Sequence, residues 1–589
     1  MTRITLIAAQ SDLPSVEGRI GFLCETAPDG TLAARYPQAL PVGELLGDFS
    51  ETKQRAYDLA ARLFADEPPL RGVRQLRIFA EIVLRELQHI FHAINLHERL
   101  SALGIGFCAF SGPSRYAAVL SLLGTLTGSE ITVHTPRVAG SPIVQSLKRS
   151  SRRLMVAGQS REKICRELRL VGEKLDPYHT FPLWRTAQGI WRPGEIWFYS
   201  TAFTFTKIGQ LYEPHCPEPF RYLVENPATG GAPLKEQSRA YTSIYEFGRA
   251  EFIPKSDELA AAKAALRDHL AQATLQARDS LARDLFLDSH FVAGFFDRML
   301  ARGLYSTALF DNWAERARPA ALVVGNPVFE GYALHAARRQ SVPTVLLQHG
   351  ILGDFCQFVD PPADHYIVRG WFWREFLSAA AAAKAKILNP AQPAVTRLAD
   401  SADRRAILFL TAPFSMQEFW PSADLDDILR TLLQAAFETN AELIIRVHPL
   451  ESLCAYKAKV REIGAVSATL AKVTFSQGAS LDPILERSAV AVTFASTAFL
   501  DCLRHRVPVV SFRWHDFSFG RQLEEHGVFH FAASLAELRR IVQRAIDGDL
   551  PPFAGDIGPF LASTPADELR QGLRCCIELM ARTDGKSCA

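Results

Sequence analysis

The sequence predicts an α/β protein: two Rossmann-type parallel-sheet lobes facing a cleft, with a large helical and mixed N-terminal elaboration. Three observations predict it. From Pro319 onward, short apolar runs alternate with helical stretches of about ten to fifteen residues, the signature of strand–helix–strand units in a parallel sheet. This alternation comes in two blocks, separated by a Pro- and polar-rich joint near 389–405. The composition, 48% hydrophobic, 22% charged and 10% aromatic over 589 residues, supplies material for several cores and argues against disorder as the dominant state.

In chain order, the opening MTRITLIAAQSDLPS carries one Arg and a very short apolar run, too little for a secretory signal. From 51 to about 100, ETKQRAYDLAARLF and GVRQLRIFAEIVLRELQHIFHAINLHERLSALG space apolar residues every three or four positions and predict helices. After Gly104, IGFCAF predicts a buried strand and SGPSRYAAVLSLLGTL a helix, one β-turn-α unit. The stretch 141–255 is rich in aromatics and Pro, and within it GEIWFYSTAFTFTKIGQLYEP predicts β structure without a fixed register. SDELAAAKAALRDHLAQATLQARDSLARDLF predicts one long amphipathic helix with an acidic first turn.

The first regular block reads ALVVGN (strand), PVFEGYALHAARRQS (helix), VPTVLLQHG (strand), the apolar DHYIVRG, and WFWREFLSAAAAAKAKIL (helix). The second reads ILFLTAP, ELIIRVHP, KVTFSQ, AVAVTFAS and VPVVSF as strands. Helices predicted over DLDDILRTLLQAAFETN, ESLCAYKAKVREIG, LDPILERS and TAFLDCLRHR lie between them. The predicted division is an N-terminal lobe over 1–395, with insertions at about 51–100 and 141–317, a C-terminal lobe over 403–560, and a helix over 561–589.

Several classes are excluded. Lys plus Arg is 65 and Asp plus Glu 63, so a net charge of +2 leaves no footprint for nucleic acid. The ten cysteines contain no C-x-x-C pair, which argues against zinc ribbons and disulfide frameworks. No window approaches ~20 consecutive apolar residues, so no membrane span is predicted and a reducing cytoplasm is the expected home. Dinucleotide, P-loop, nucleophile-elbow and H-E-x-x-H motifs are all missing. Asp424-Leu425-Asp426 matches D-x-D, but it falls in a helix first turn, where acids are favoured anyway, so no metal site is predicted.

In a doubly wound sheet, ligands gather at the carboxyl ends of strands. In the second block those ends carry Thr411 and Ser415, then Arg446, His448 and Pro449, then Ser496 and Thr497. Hydroxyl, imidazole and guanidinium groups are the ones that hold a phosphate. Each also has a purely structural reading. Ser496 and Thr497 can be helix N-caps, and His448-Pro449 a turn with Arg446 paired to an acid. In the first block Gln348, His349 and Gly350 close a strand at the same cleft. Glu330 and Asp354 are carboxylates in range of it; either suits a general base, or a plain helix-terminus acid.

The order QHG (348–350), R-x-HP (446–449), Ser-Thr before a helix (496–497) and H-R-V-P-V-V (505–510) resembles the GT-B glycosyltransferases of bacterial surface polysaccharides. The nearest groups are the Kdo transferases of capsule synthesis and the polysialyltransferases, with CDP-glycerol glycerophosphotransferases as looser relatives. The resemblance covers about 319–515. It implies a CMP-activated donor sugar (Kdo, sialic acid or a related nonulosonate), with His448, Ser496 and Thr497 at the donor phosphate in the C-terminal lobe. It also implies an acidic base in the N-terminal lobe, with no matching motif position here. No cofactor or metal beyond the nucleotide sugar is implied. A glycan or lipid-linked acceptor would be the second partner, and a lipid-linked one would bring the enzyme to the inner face of the membrane without a spanning helix. Two rival readings remain at this point: a UDP-GlcNAc 2-epimerase-like, UDP-sugar or CDP-glycerol-using enzyme on the same fold, and a non-catalytic glycan- or nucleotide-binding scaffold.

Overall fold

In a computed structural model of the chain, the described residues are 3–7, 21–24, 39–41, 49–103, 108–111, 117–127, 130–134, 191–199, 209–210, 213–216, 218–225, 234, 239–272, 277–325, 330–348, 363–368, 370, 372–373, 386–388, 404–411, 425–448, 451–463, 472–478, 480–493, 496, 498–512 and 523–560. The chain divides into two compact units, Met1–Thr186 with Phe247–Leu309, and Ala187–Glu246 with Phe310–Ala589.

The first unit contains five parallel strands: β1 (Arg3–Ile7), β2 (Gly21–Cys24), β3 (Ala39–Pro41), β4 (Cys108–Ser111) and β5 (Glu130–His134), in the order β3-β2-β4-β1-β5. The short apolar run at the start of the sequence is therefore β1, held between β4 and β5. The expected helices form as α1 (Phe49–Ala65) and α2 (Ala80–Ala102), and the β-turn-α unit as β4 followed by α3 (Ala117–Thr127). The sequence SDELAAAKAALRDHLAQATLQARDSLARDLF folds as α4 (Ser256–Gln272) and α5 (Ala277–Leu287), with 273–276 outside the described residues. Asp279 of α5 anchors α1 by accepting from Arg62 at 2.8 Å and Arg55 at 3.4 Å. Buried Glu67 accepts the backbone N–H groups of Leu76 and Arg77 at 2.6 and 3.1 Å. Burial pushes its carboxyl up to about 7.

The second unit contains two sheets. β6 (Ile196–Tyr199), β7 (Phe220–Val224), β8 (Tyr241–Ser243), β9 (Ala321–Val324), β10 (Thr344–Leu347), β11 (His365–Ile367) and β12 (Lys386–Leu388) stand in the order β12-β11-β10-β9-β6-β7-β8. β13 (Ala406–Leu410), β14 (Glu442–Arg446), β15 (Val473–Ser476), β16 (Ser488–Thr493), β17 (Val509–Phe512) and β18 (His530–Ala532) stand in the order β15-β14-β13-β16-β17-β18. Every neighbouring pair is parallel. Counted within each sheet, both run 3-2-1-4-5-6, and the larger adds a seventh strand at its edge. That is the doubly wound order, so the α/β class with two Rossmann-type sheets is what the structure shows. The residues of β9, β10, β13, β16 and β17 are all buried, which is why these strands read as unbroken apolar runs. In the seven-stranded sheet, the ring of Trp197 meets Trp313 edge-on at 5.8 Å.

Two expectations need correcting. The helix predicted through WFWREFLSAAAAAKAKIL does not extend to its end: Lys386–Leu388 is β12, paired in register with His365–Ile367. Ladder bonds to an edge strand outweigh the helix propensity of three residues. The aromatic stretch 141–255 supplies three strands, β6, β7 and β8, where one β run was predicted. Of the β structure predicted from Gly194 to Pro214, Ile196–Tyr199 forms, whereas Gly209 and Gln210 are helical. The predicted helix 561–589 lies outside the described residues. The segment before it returns to the seven-stranded side of this unit. Phe372 N–H donates to the Pro559 carbonyl at 2.8 Å, and Trp373 Nε1 to the Phe560 carbonyl at 3.3 Å. Gly370 lies so close to the Pro559 carbonyl that no Cβ fits there.

Candidate functional site

In a 3-2-1-4-5-6 sheet, the strand order reverses between the first and fourth strands, and the crevice at their carboxyl ends is where ligands bind. In the six-stranded sheet this point lies between β13 and β16. Thr411 follows β13, and Ser496 follows β16. Arg446 ends β14 next to β13, and His448 stands two residues on. Parallel register places Ser476, Arg446, Leu410, Thr493 and Ser511 in one row across five strands, hence on one face.

The Arg446 guanidinium donates to Ser476 Oγ at 2.7 Å, and burial lowers it from its ordinary value. His448 is half-buried, which depresses its imidazole below the usual value and leaves it neutral at neutral pH. Thr411 is 2% exposed. Its hydroxyl donates to Glu451 Oε2 at 2.7 Å and accepts the His448 N–H at 2.8 Å. Ser496 N–H donates to Thr493 Oγ1, and Ser496 Oγ accepts Ala498 N–H, both at 3.3 Å, just before α-helical Phe499–Arg504. Ser496 thus bonds backbone two residues on, but the N-cap of that helix is Ala498 and no side chain caps it.

The His505-Arg506 part of the motif lies elsewhere. Nearly fully buried His505 (1% exposed) pairs with Asp482 at 2.8 Å. Arg404, ahead of β13, donates to the carbonyls of His505 and Arg506 at 2.7 and 2.9 Å. These residues precede β17 and therefore anchor the amino-end edge of the sheet, opposite the strand ends just described.

The seven-stranded sheet reverses between β6 and β9. Tyr199 ends β6, Glu225 follows β7, Ser243 ends β8, Glu330 follows β9 and Gln348 follows β10. The Tyr199 hydroxyl donates to Glu225 Oε1 at 3.0 Å. Burial raises the Tyr199 phenol well above its ordinary value, with Glu225, Tyr245 and Glu330 adding to the rise. Glu330 is fully buried at 0% exposure and makes no capping bond to the helix that follows it, whereas Glu225 is half-buried. Ser415, Pro449, Thr497, His349, Gly350 and Asp354 lie outside the described residues. Asp424 does too, although Leu425–Glu438 is helical from its first residue.

Sequence reasoning missed Tyr199, Glu225, Glu451, Ser476 and Gln477. Three of these had a signal. Ser476-Gln477 closes the strand KVTFSQ, and Glu451 stands two residues past Pro449. Tyr199 and Glu225 lie in the aromatic stretch, where no alternation fixed which residues end a strand. Among the described residues, no group of three His, Cys, Asp or Glu could hold a metal ion, and no helix is long and apolar enough to cross a membrane.

No protein-family model matches this chain, and no curated protein matches it. Solved structures do. A Listeria monocytogenes protein described as a UDP-N-acetylglucosamine 2-epimerase aligns with 66% of this chain and 98% of its own, at 12% identity and a TM-score of 0.41. The UDP-GlcNAc 2-epimerase of Methanocaldococcus jannaschii aligns over 65% and 99%, at 11% and 0.39. HepE of Anabaena, solved with UDP and glucose, aligns over 66% and 99%, at 12% and 0.37. A TM-score below 0.5 does not define a shared fold, so the class rests on the strand order.

Proposed function

We propose that this chain is a GT-B glycosyltransferase that moves a Kdo, sialic acid or related nonulosonate from a CMP-activated donor to a surface-polysaccharide or glycan acceptor. The observation that supports this reading is the pairing of two sheets of one strand order with complementary carboxyl edges. One edge carries Arg446, His448 and Ser496, suited to an anion. The other carries Tyr199, Glu225 and Glu330, suited to hydroxyls and protons. The order of the QHG, R-x-HP and Ser-Thr motifs along the chain gives the same reading, with 403–560 as the nucleotide-sugar lobe.

In the proposed reaction, the bond between the sugar's anomeric carbon and the donor phosphate breaks, and a bond from that carbon to the acceptor oxygen forms. The electron pair of the broken bond goes to the phosphate oxygen. His448, neutral in the free protein, takes a proton from solvent when the singly charged donor phosphodiester is beside it and then stabilises the second charge that develops on the departing CMP phosphate. Arg446 and the Ser496-Thr497 pair hold the same phosphate. A carboxylate takes the acceptor proton. Glu225 suits this role better than Glu330, because Glu330 has no exposed surface in this state; Asp354 is the remaining candidate.

The test is nucleotide release from CMP-Kdo, CMP-sialic acid and UDP-sugars, with and without a polysaccharide acceptor. Free CMP appearing only with acceptor is the expected outcome. Conversion of UDP-GlcNAc to its C2 epimer without acceptor would mean epimerase chemistry, and neither nucleotide release nor epimerisation from any donor would leave the scaffold reading.

A further inference from the structure

The turn that carries His448 is fastened from three elements. From the head of β13, Thr411 Oγ1 accepts the His448 N–H at 2.8 Å and donates its one proton to Glu451 Oε2 at 2.7 Å. From the helix Leu453–Ile463, the Tyr456 hydroxyl donates to the same Glu451 oxygen at 3.0 Å. From the head of β15, Gln477 Nε2 donates to the carbonyls of His448 and Glu451 at 3.0 and 2.9 Å. Glu451 N–H closes the turn on the His448 carbonyl at 2.9 Å.

We infer that Thr411 and Glu451 are positioning residues which preset the His448 turn for a nucleotide phosphate, and that Thr411 does not itself donate to that phosphate. The inference rests on the reading of His448 as the phosphate-holding group. A hydroxyl has one proton, and that of Thr411 is engaged with a carboxylate, a charge-assisted bond. Its acceptor side is engaged with His448 N–H. Turning the hydroxyl towards a ligand would break the bond to Glu451. A turn fixed before binding leaves less ordering to be done on binding, and affinity rises accordingly.

The experiment compares wild-type protein, Thr411→Val and Thr411→Ser by hydrogen–deuterium exchange of peptides spanning 445–456, and by titration with CMP and UDP. Val keeps the shape of Thr but removes both bonds, whereas Ser keeps the hydroxyl. Thr411→Val is expected to exchange at least about tenfold faster at the turn and to bind the preferred nucleotide about tenfold more weakly. The melting temperature should hold to within a few degrees, and Thr411→Ser should restore both properties. Exchange in Thr411→Val equal to wild type overturns the inference, as does faster exchange with unchanged nucleotide affinity. If wild-type protein binds neither CMP nor UDP, the nucleotide reading fails, and the exchange result alone decides whether Thr411 fixes the turn. Glu451→Gln and Tyr456→Phe supply the same exchange readout should Thr411→Val fail to fold.

Discussion

The two sheets of the second unit share a strand order and differ in what their carboxyl edges carry. At the six-stranded edge, Arg446, His448, Thr493 and Ser496 surround the point where the order reverses. At the seven-stranded edge, the corresponding point holds Tyr199 and Glu330, with Glu225 bonded to Tyr199 at 3.0 Å. One backbone plan therefore carries two different sets of side chains. The plan decides where a ligand can sit, and the few residues just past each strand decide what sits there. Cation and hydroxyl groups suit a phosphate; carboxylates and a phenol suit sugar hydroxyls and a proton to be removed.

The sharpest way to break this comparison is to disable each edge separately. Glu225→Gln is expected to lower turnover by about 10²–10⁴-fold, the usual contribution of a general base, with nucleotide affinity unchanged. His448→Ala is expected to weaken nucleotide binding instead. Loss of binding in Glu225→Gln, measured by calorimetry, would show that the edges do not divide the work.

Acid and alkali should separate the regions of the molecule as well. Glu67 in the first unit has its carboxyl raised from 4.5 to about 7. The folded state holds its proton more tightly, so this contribution is full below pH 4.5 and is lost as pH rises to about 7. It is on the order of 3 kcal/mol, and Glu67→Gln should abolish it. His448 and His530 in the six-stranded lobe are depressed by burial. Their contribution is present above pH 6.5 and is lost as pH falls through their folded values. Hydrogen exchange between pH 5 and 8 should therefore loosen 49–102 at the upper end and the neighbourhood of β14 and β18 at the lower. Both regions loosening in the same direction would refute the assignment.

Smaller effects refine the picture. Gly370→Ala should cost about 1–3 kcal/mol, because the new methyl meets the Pro559 carbonyl and loosens the segment 551–560. Denaturant unfolding reads the loss. Ser496→Ala should cost at most about 1 kcal/mol through the lost bond from Ala498 N–H. If nucleotide affinity stays unchanged in that variant, Ser496 is a backbone contact and nothing more.

Most strands of the two sheets were legible, because burial on both faces leaves continuous apolar runs such as AILFL and SAVAVT. Of β6, β7 and β8, only β6 was read as β structure, without a register. Half of their residues are aromatic, the stretch shows no helix–strand alternation, and the strand that joins β6 to the rest of the sheet, β9, comes from over 100 residues away. β12 was hidden for the opposite reason, since an Ala- and Lys-rich run is the best helix former and only pairing with β11 overrules it. At the site, Arg446, His448 and Ser496 are legible because polar residues directly past an apolar strand stand out from the run before them. Thr411 stands out in the same way, but its bonds to His448 and Glu451 depend on a turn 37 residues on, which spacing does not reveal. Glu225 was out of reach, because the strand that leads into it was not legible.

The proposed transferase requires that the six-stranded edge hold a nucleotide phosphate at His448. The direct measurement is the melting temperature of wild-type protein and His448→Ala against CMP, CDP, UDP and GDP, since a ligand that binds only the folded state must raise it. A rise with CMP that shrinks in His448→Ala is the predicted result. No rise with any of the four nucleotides, or one that His448→Ala leaves untouched, would contradict it.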